Sequence, residues 1–172
     1  DRLGEEAKFK NSVFYMDSCL GNFMEKAKNQ NWYSNTVFII VSDHGSLHLS
    51  SLDFNSHERF HIPLLILGEP LNDKFKGRTL STIGNSHDIP TTLLSSLGKE
   101  STEYELSKNL LDSNLNHAYW ITEHTLGWIV PNQKMVLNHE KKEVYFIENE
   151  TDTSSKLNGI LYYNLVKQLL TK

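Results

Sequence analysis

The stretch Thr36-Val37-Phe38-Ile39-Ile40-Val41-Ser42-Asp43-His44-Gly45 decides how the chain is read. Its apolar, largely β-branched first part predicts a strand over 36–41 that is covered on both faces, the habit of strands in a parallel sheet. The run stops at Ser42, and a carboxylate and an imidazole follow side by side. At the carboxyl end of a strand in an open α/β sheet, side chains project into the crevice where ligands bind. Asp offers a hard, charged oxygen and His a neutral nitrogen, so the pair has the chemistry of half a metal site. Gly45 is expected to let the backbone turn sharply beside the ion. Taken alone, the triplet serves equally well as an Asp-capped turn with a histidine packed nearby.

Upstream, Val13, Met16, Leu20, Phe23 and Ala27 recur at steps of three and four residues. This spacing predicts a helix from residue 12 to about 30 with one buried stripe. Cys19 lies inside the pattern and reads as a small core residue. As the sole cysteine it excludes an intrachain disulfide and any thiolate cluster for zinc or iron–sulfur.

Downstream, residues 46–60 lack a period and read as a long loop of the functional kind. Ile62-Pro63-Leu64-Leu65-Ile66-Leu67-Gly68 predicts a second buried strand, with Pro63 near its start where a missing N–H is tolerated. Asp88-Ile89-Pro90-Thr91-Thr92-Leu93-Leu94-Ser95-Ser96-Leu97-Gly98 predicts a short helix capped by Asp88 or Ser86 and stopped by Gly98. Beyond Asn109 the texture changes to strand-like pieces at 118–122, 127–130, 134–137 and 143–147. Turns at 131–133 and 139–142 make these an antiparallel meander at a sheet edge. A last helix over 154–170 would carry Leu157, Ile160, Leu161, Leu165 and Leu169 on one side. The fold class is therefore α/β.

A chain of 172 residues, 38% hydrophobic, can bury one core of ordinary size, so a single domain over 1–172 is the default. Its net charge of −4 argues against nucleic acid, whose binders carry a positive excess to displace counterions. No run approaches the roughly 20 apolar residues of a membrane span. The polar start without Met is no signal peptide and reads as an internal piece of a longer chain.

Four segments run in a recognisable order: Asn11-Ser12-Val13-Phe14-Tyr15-Met16-Asp17, the stretch Asn35 to Gly45, Phe60-His61-Ile62-Pro63-Leu64-Leu65-Ile66, and Asp88-Ile89-Pro90-Thr91-Thr92-Leu93-Leu94. Together they resemble the C-terminal half of the alkaline phosphatase/sulfatase superfamily, in particular its lipoteichoic acid synthase-like branch of sulfatases and phosphotransferases. The resemblance implies the C-terminal part of an alkaline phosphatase-like α/β/α sandwich, with a mostly parallel sheet plus the C-terminal antiparallel meander and terminal helix. Residues 11–98 would be its metal-site half and 109–172 the meander and closing helix.

The resemblance also implies roles. Asp43 and His44 fall on the family's adjacent metal ligands, for a divalent ion such as Mn, Zn, Mg or Ca. His57 falls near a loop histidine that binds the substrate's phosphate or a second metal. His87, in a Ser-His-Asp stretch like one in phosphoethanolamine transferases, is the other substrate-binding candidate; its bland alternative is a helix-cap neighbourhood in which Asp88 binds backbone N–H groups. His61 would pack or sit at the surface. His48, His117, His124 and His139 are ordinary loop and turn residues.

The family's nucleophile, a Thr, Ser or modified Cys, is expected upstream, with none in this chain, so the fragment alone is expected to be inactive. The parent would be a sulfuric ester hydrolase or a phosphoglycerol or phosphoethanolamine transferase. It would act on sulfate or phosphate esters, lipid-linked donors among them, outside the cytoplasmic membrane (periplasmic or cell surface) and tethered to that membrane. The alternative is a non-catalytic binding or scaffold domain with the same fold.

Overall fold

The structure, a computed structural model, describes residues 2–45, 53, 55–112, 114–141, 143–148 and 153–171. The chain divides into two compact units, Asp1–Thr79 and Leu80–Lys172.

In the first unit the apolar runs become strands β1 (Phe38–Val41) and β2 (Leu64–Leu67), preceded by helix α1 (Arg2–Ala27) and separated by a short 3-10 turn at His57–Phe60. The strands pair antiparallel, with Val41 opposite Leu64 and Phe38 opposite Leu67. The expected parallel pairing is thus corrected among the described residues, although the mixed α/β class stands. An apolar run shows how far a strand is covered and carries no information about its direction. The register alone gives the direction here, because Phe38 and Val41 pair with Leu67 and Leu64 in reverse order. Coverage is also less than the run suggests, since Val41 is 40% and Leu65 47% exposed within the chain.

Phe38 ties β1 to α1. The rings of Phe23, Trp32 and Tyr33 lie 6.2, 6.2 and 5.7 Å from it, and aromatic pairs at such distances add about 0.5–1.5 kcal/mol each beyond the area they bury. Only the end of α1 takes part. Ala27 is buried, while Val13, Met16 and Phe23 are exposed, and so is Cys19, contrary to the buried stripe and core cysteine expected. The reason is length: 26 helical residues span roughly 39 Å at 1.5 Å each, whereas a four-residue strand covers only about 13 Å. The helix is where the period placed it, but most of its stripe is exposed within the chain.

The second unit holds helix α2 (Ile89–Ser96), strands β3 (Ala118–Ile121), β4 (Thr125–Val130), β5 (Gln133–Asn138) and β6 (Glu143–Glu148), and helix α3 (Thr153–Leu170). The strands form an antiparallel meander in chain order, as their alternation and turns predict. Leu126, Trp128, Met135 and Leu137 make the core, with Leu126 and Met135 fully buried. Burial of such side chains contributes about 1.5–3 kcal/mol each. Helix α3 closes this core with Ile160, Tyr162 and Tyr163, and Val166 is buried too. Of the apolar residues expected on one side, Ile160 packs while Leu157, Leu161 and Leu165 are exposed. The tyrosines win the core side because Tyr162 reaches both an aromatic partner, Trp128 at 5.4 Å, and a carbonyl, Leu106 O at 3.2 Å. Helix α2 ends as expected: Gly98 has φ +66°, and the N–H groups of Gly98 and Lys99 bond back to Ser95 and Leu94, which closes the helix in a Schellman turn.

Asp88 anchors this unit. Its side chain has no solvent exposure, and the Lys108 ammonium paired with it is buried as well. Asp88 Oδ2 accepts from the Asn85 N–H (2.8 Å) and the Lys108 ammonium, and Oδ1 from the Lys108 N–H (3.0 Å). Gly84 makes room for the pair, since a Cβ there would lie 2.1 Å from Leu110 Cδ2 and 2.9 Å from Asp88 Oδ2. Asn85 binds β3 at two points, accepting from the Tyr119 N–H (3.1 Å) and donating to the Tyr119 carbonyl (2.6 Å).

Removing one partner of a buried pair strands the other charge. Asp88→Ala is therefore expected to destabilise the second unit by about 3–5 kcal/mol, read by urea denaturation followed through tryptophan fluorescence. A second expectation concerns pH. His117 stacks on Trp128 at 5.0 Å, and burial first, then the Lys108 charge, lowers its pKa below the ordinary 6.5. The folded state thus binds fewer protons than the unfolded chain, so this contribution is complete above about pH 6.5 and is lost as pH falls through the lowered value. His117→Phe should flatten the pH dependence of the unfolding midpoint in that acidic range.

Candidate metal centre and substrate site

Strand β1 ends at Val41, and the next residues fold into a small hydrogen-bonded bend. Ser42 Oγ donates to the His44 carbonyl (2.9 Å), the His44 N–H donates to Asp43 Oδ1 (2.9 Å), and His44 Nδ1 lies 2.8 Å from the Gly45 carbonyl. A carbonyl only accepts, so Nδ1 carries the hydrogen, and in the neutral ring Nε2 keeps its lone pair. That lone pair and the second Asp43 oxygen, Oδ2, are 3.6 Å apart, on side chains 71% and 86% exposed. Two ligands about 2.0–2.2 Å from one tetrahedral ion stand at close to this separation, and a ligating His commonly donates its other N–H to a carbonyl. The donors that Asp43 and His44 present are therefore of the kind and spacing that a divalent ion takes. Among the described residues, no group of three or more His, Cys, Asp or Glu gathers around one point.

Gly45 acts differently from its expected role. Its backbone is not in the left-handed region. A Cβ at this position would fall 1.7 Å from the Arg59 carbonyl oxygen and 2.7 Å from its carbon. Gly45 is there for close approach, and it brings the 57–60 turn against the end of the Asp43-His44 bend. His57 opens that turn and is buried, 7% exposed. His61, just beyond, is exposed. His48 and most of the long loop before His57 lie outside the described residues.

His87 belongs to the second unit, in the 3-10 turn Ser86–Asp88 that leads into α2. About a third of its side chain is exposed, its Nε2 stands 3.5 Å from Asp88 Oδ1, and its ring lies 5.5 Å from that of Tyr119. Asp88 binds backbone N–H groups, as the helix-cap alternative anticipated, though they are those of Asn85 and Lys108 rather than of α2 itself. Burial, then the Asp88 charge, raises the Tyr119 phenol above its ordinary range; burial leads again for Tyr162, followed by Tyr119 and Asp88. His139 stacks on Tyr163 at 5.1 Å, and His124 lies 3.2 Å from Glu140 at the surface. The residue that sequence reading missed is Lys108. It stands 20 positions from Asp88 in an irregular segment, where no local period could mark it.

A family model for sulfatases matches residues 6–99. The chain belongs to the sulfatase family. The match takes in Asp43, His44, His57 and His87, the four site candidates of this sulfatase chain. The fold is that of the wider superfamily: a solved structure of a protein in the alkaline phosphatase superfamily from Vibrio parahaemolyticus superposes with a TM-score of 0.65 at 24% identity. The superposition covers 90% of this chain and 41% of that one. The sulfatase chain thus spans about two fifths of the length of the structure it matches, meander and closing helix included. Members of these families are generally metal-dependent, in keeping with the donor set at Asp43 and His44.

Gly45→Ala is expected to push the 57–60 turn off the bend. It should lower the thermal midpoint of the first unit and move the backbone amide resonances of Arg59 and Phe60, with the β3–β6 amides unchanged.

Proposed function

We propose that this chain is the C-terminal, metal-site part of a metal-dependent sulfatase or phosphotransferase acting on sulfate or phosphate esters, in the branch that resembles lipoteichoic acid synthase. The observation that carries the proposal is the end of β1, where His44 is held as the Nδ1–H tautomer with its free Nε2 3.6 Å from an Asp43 oxygen. Membership of the sulfatase family supports ester chemistry of this kind.

In this reading Asp43 and His44 hold a divalent ion, Mn, Zn, Mg or Ca. When bound, the ion supplies a Lewis acid that stabilises negative charge on the ester oxygens and on the attacking oxygen. Asp43 contributes charge and His44 direction, its ring fixed by the Gly45 carbonyl. His57 and His87 are assigned to the substrate's anionic group. The nucleophile belongs to the remainder of the parent protein, and the chain by itself is inactive. Phosphoglycerol transfer from a lipid donor, a membrane tether and an extracytoplasmic location go with the lipoteichoic acid synthase-like branch and are part of the same proposal.

Two side-chain ligands are fewer than stable zinc or manganese sites use. Titration calorimetry of the 172-residue chain should show Mn or Zn binding weaker than about 1 μM, or less than about 8 kcal/mol. That binding should vanish in Asp43→Ala and in His44→Ala. Binding that survives both substitutions would place the ion elsewhere. A longer parent that holds no metal and has no Thr, Ser or modified Cys nucleophile would leave the non-catalytic scaffold as the better reading.

A further inference from the structure

Adjacency of a carboxylate and an imidazole does not by itself build a metal site. At Glu123-His124 the same two chemistries are neighbours, but His124 Nε2 faces Glu123 Oε2 at 3.8 Å while Nδ1 faces Glu140 Oε2 at 3.2 Å. Carboxylates there stand toward both ring nitrogens, and neither nitrogen is singled out for an ion. At Asp43-His44 three hydrogen bonds make the selection. The His44 N–H occupies Asp43 Oδ1 (2.9 Å), the Gly45 carbonyl takes His44 Nδ1–H (2.8 Å), and the Ser42 hydroxyl donates to the His44 carbonyl (2.9 Å). What remains on offer is one oxygen, Asp43 Oδ2, and one nitrogen, His44 Nε2, 3.6 Å apart.

The Ser42 bond spans the bend. It fixes the direction of the His44 carbonyl, and with it the backbone rotation between His44 and Gly45. Gly45 is confined in turn by the Arg59 carbonyl, against which a Cβ would stand at 1.7 Å. With both held, the Gly45 carbonyl meets His44 Nδ1, and the ring cannot turn without losing that bond. We propose that Ser42 is a positioning residue of the metal site, which keeps the bend in the one shape that offers a single carboxylate oxygen and a single imidazole nitrogen, and so favours Zn or Mn over Ca or Mg. The proposal rests on the metal-site reading above and narrows its choice of ion. Calcium takes about six to eight oxygens, often both of one carboxylate, and magnesium prefers an octahedral oxygen shell that is largely water. Asp43 Oδ1 is already engaged, so the carboxylate has one oxygen to give. An imidazole nitrogen suits the transition ions, with Zn above Mn in the usual order of affinities. Ser42 does not touch the ion; it acts through the backbone that orients His44, as outer partners of metal ligands commonly do.

Titration of the 172-residue chain with the chlorides of Zn, Mn, Ca and Mg should show Zn and Mn bound more tightly than Ca and Mg. Ser42→Ala should weaken Zn and Mn binding by on the order of 10-fold, and Ser42→Thr, which keeps the hydroxyl, should restore it. Ring proton–nitrogen correlation spectra of the metal-free chain, recorded with the imidazole neutral, give a second readout. His44 should appear as Nδ1–H in the parent sequence and as a mixture of tautomers in Ser42→Ala. A serine that only tidies an exposed turn would lower the thermal midpoint when replaced and leave the tautomer and the ion affinities alone; that result overturns the proposal. Calcium bound as tightly as Mn would overturn it too. Loss of every Asp43-dependent binding signal would sink the metal-site reading and the ion preference with it, while the tautomer comparison still decides separately whether Ser42 sets the ring.

Discussion

The second unit depends on a carboxylate with no access to water. Asp88 is fully buried and paired with Lys108, and such a group persists only where its oxygens are answered by donors. The surrounding chain is organised to answer it. The backbone turns at Asn85 to offer one N–H, the segment after α2 returns so that Lys108 offers two more donors, and Gly84 gives up a side chain to let them converge. Thr92 extends the network, donating to the Asp88 carbonyl and accepting from the Leu110 N–H. Fixing Asp88 therefore fixes the start of α2, the irregular chain at 107–110 and, through Asn85, the edge of the meander. A surface pair such as Glu6–Lys10 is screened by solvent and organises only its own helix turn.

In the first unit the corresponding constraint is steric. Gly45 lies so close to the Arg59 backbone that no side chain could stand there. Close approach brings the 57–60 turn against the Asp43-His44 bend, whose side chains stay exposed just beyond the end of β1. Local hydrogen bonds complete the preparation, because the carbonyl that receives His44 Nδ1–H decides which nitrogen keeps a lone pair.

The exposed apolar faces follow from the same geometry. Helix α1 shows Phe14, Tyr15 and Met16 to solvent, and β2 shows Leu64 and Leu65. The chain covers 41% of the superfamily structure it superposes on.

Local periodicity and turn chemistry were legible from the residues alone. The apolar stripe announced α1, the runs before Asp43 and after Pro63 announced β1 and β2, and alternation with short turns announced β3 to β6 within a residue or two of their ends. The Asp43-His44 pair was legible because chemistry and strand end coincide in adjacent residues. Direction of pairing, the buried side of α3, the role of Gly45, the burial of His57 and the partnership of Lys108 with Asp88 were decided only by tertiary structure. Each depends on groups far apart in the chain. Propensity and hydrophobic period describe how one segment meets its surroundings, whereas close approach and charge compensation depend on which surroundings arrive.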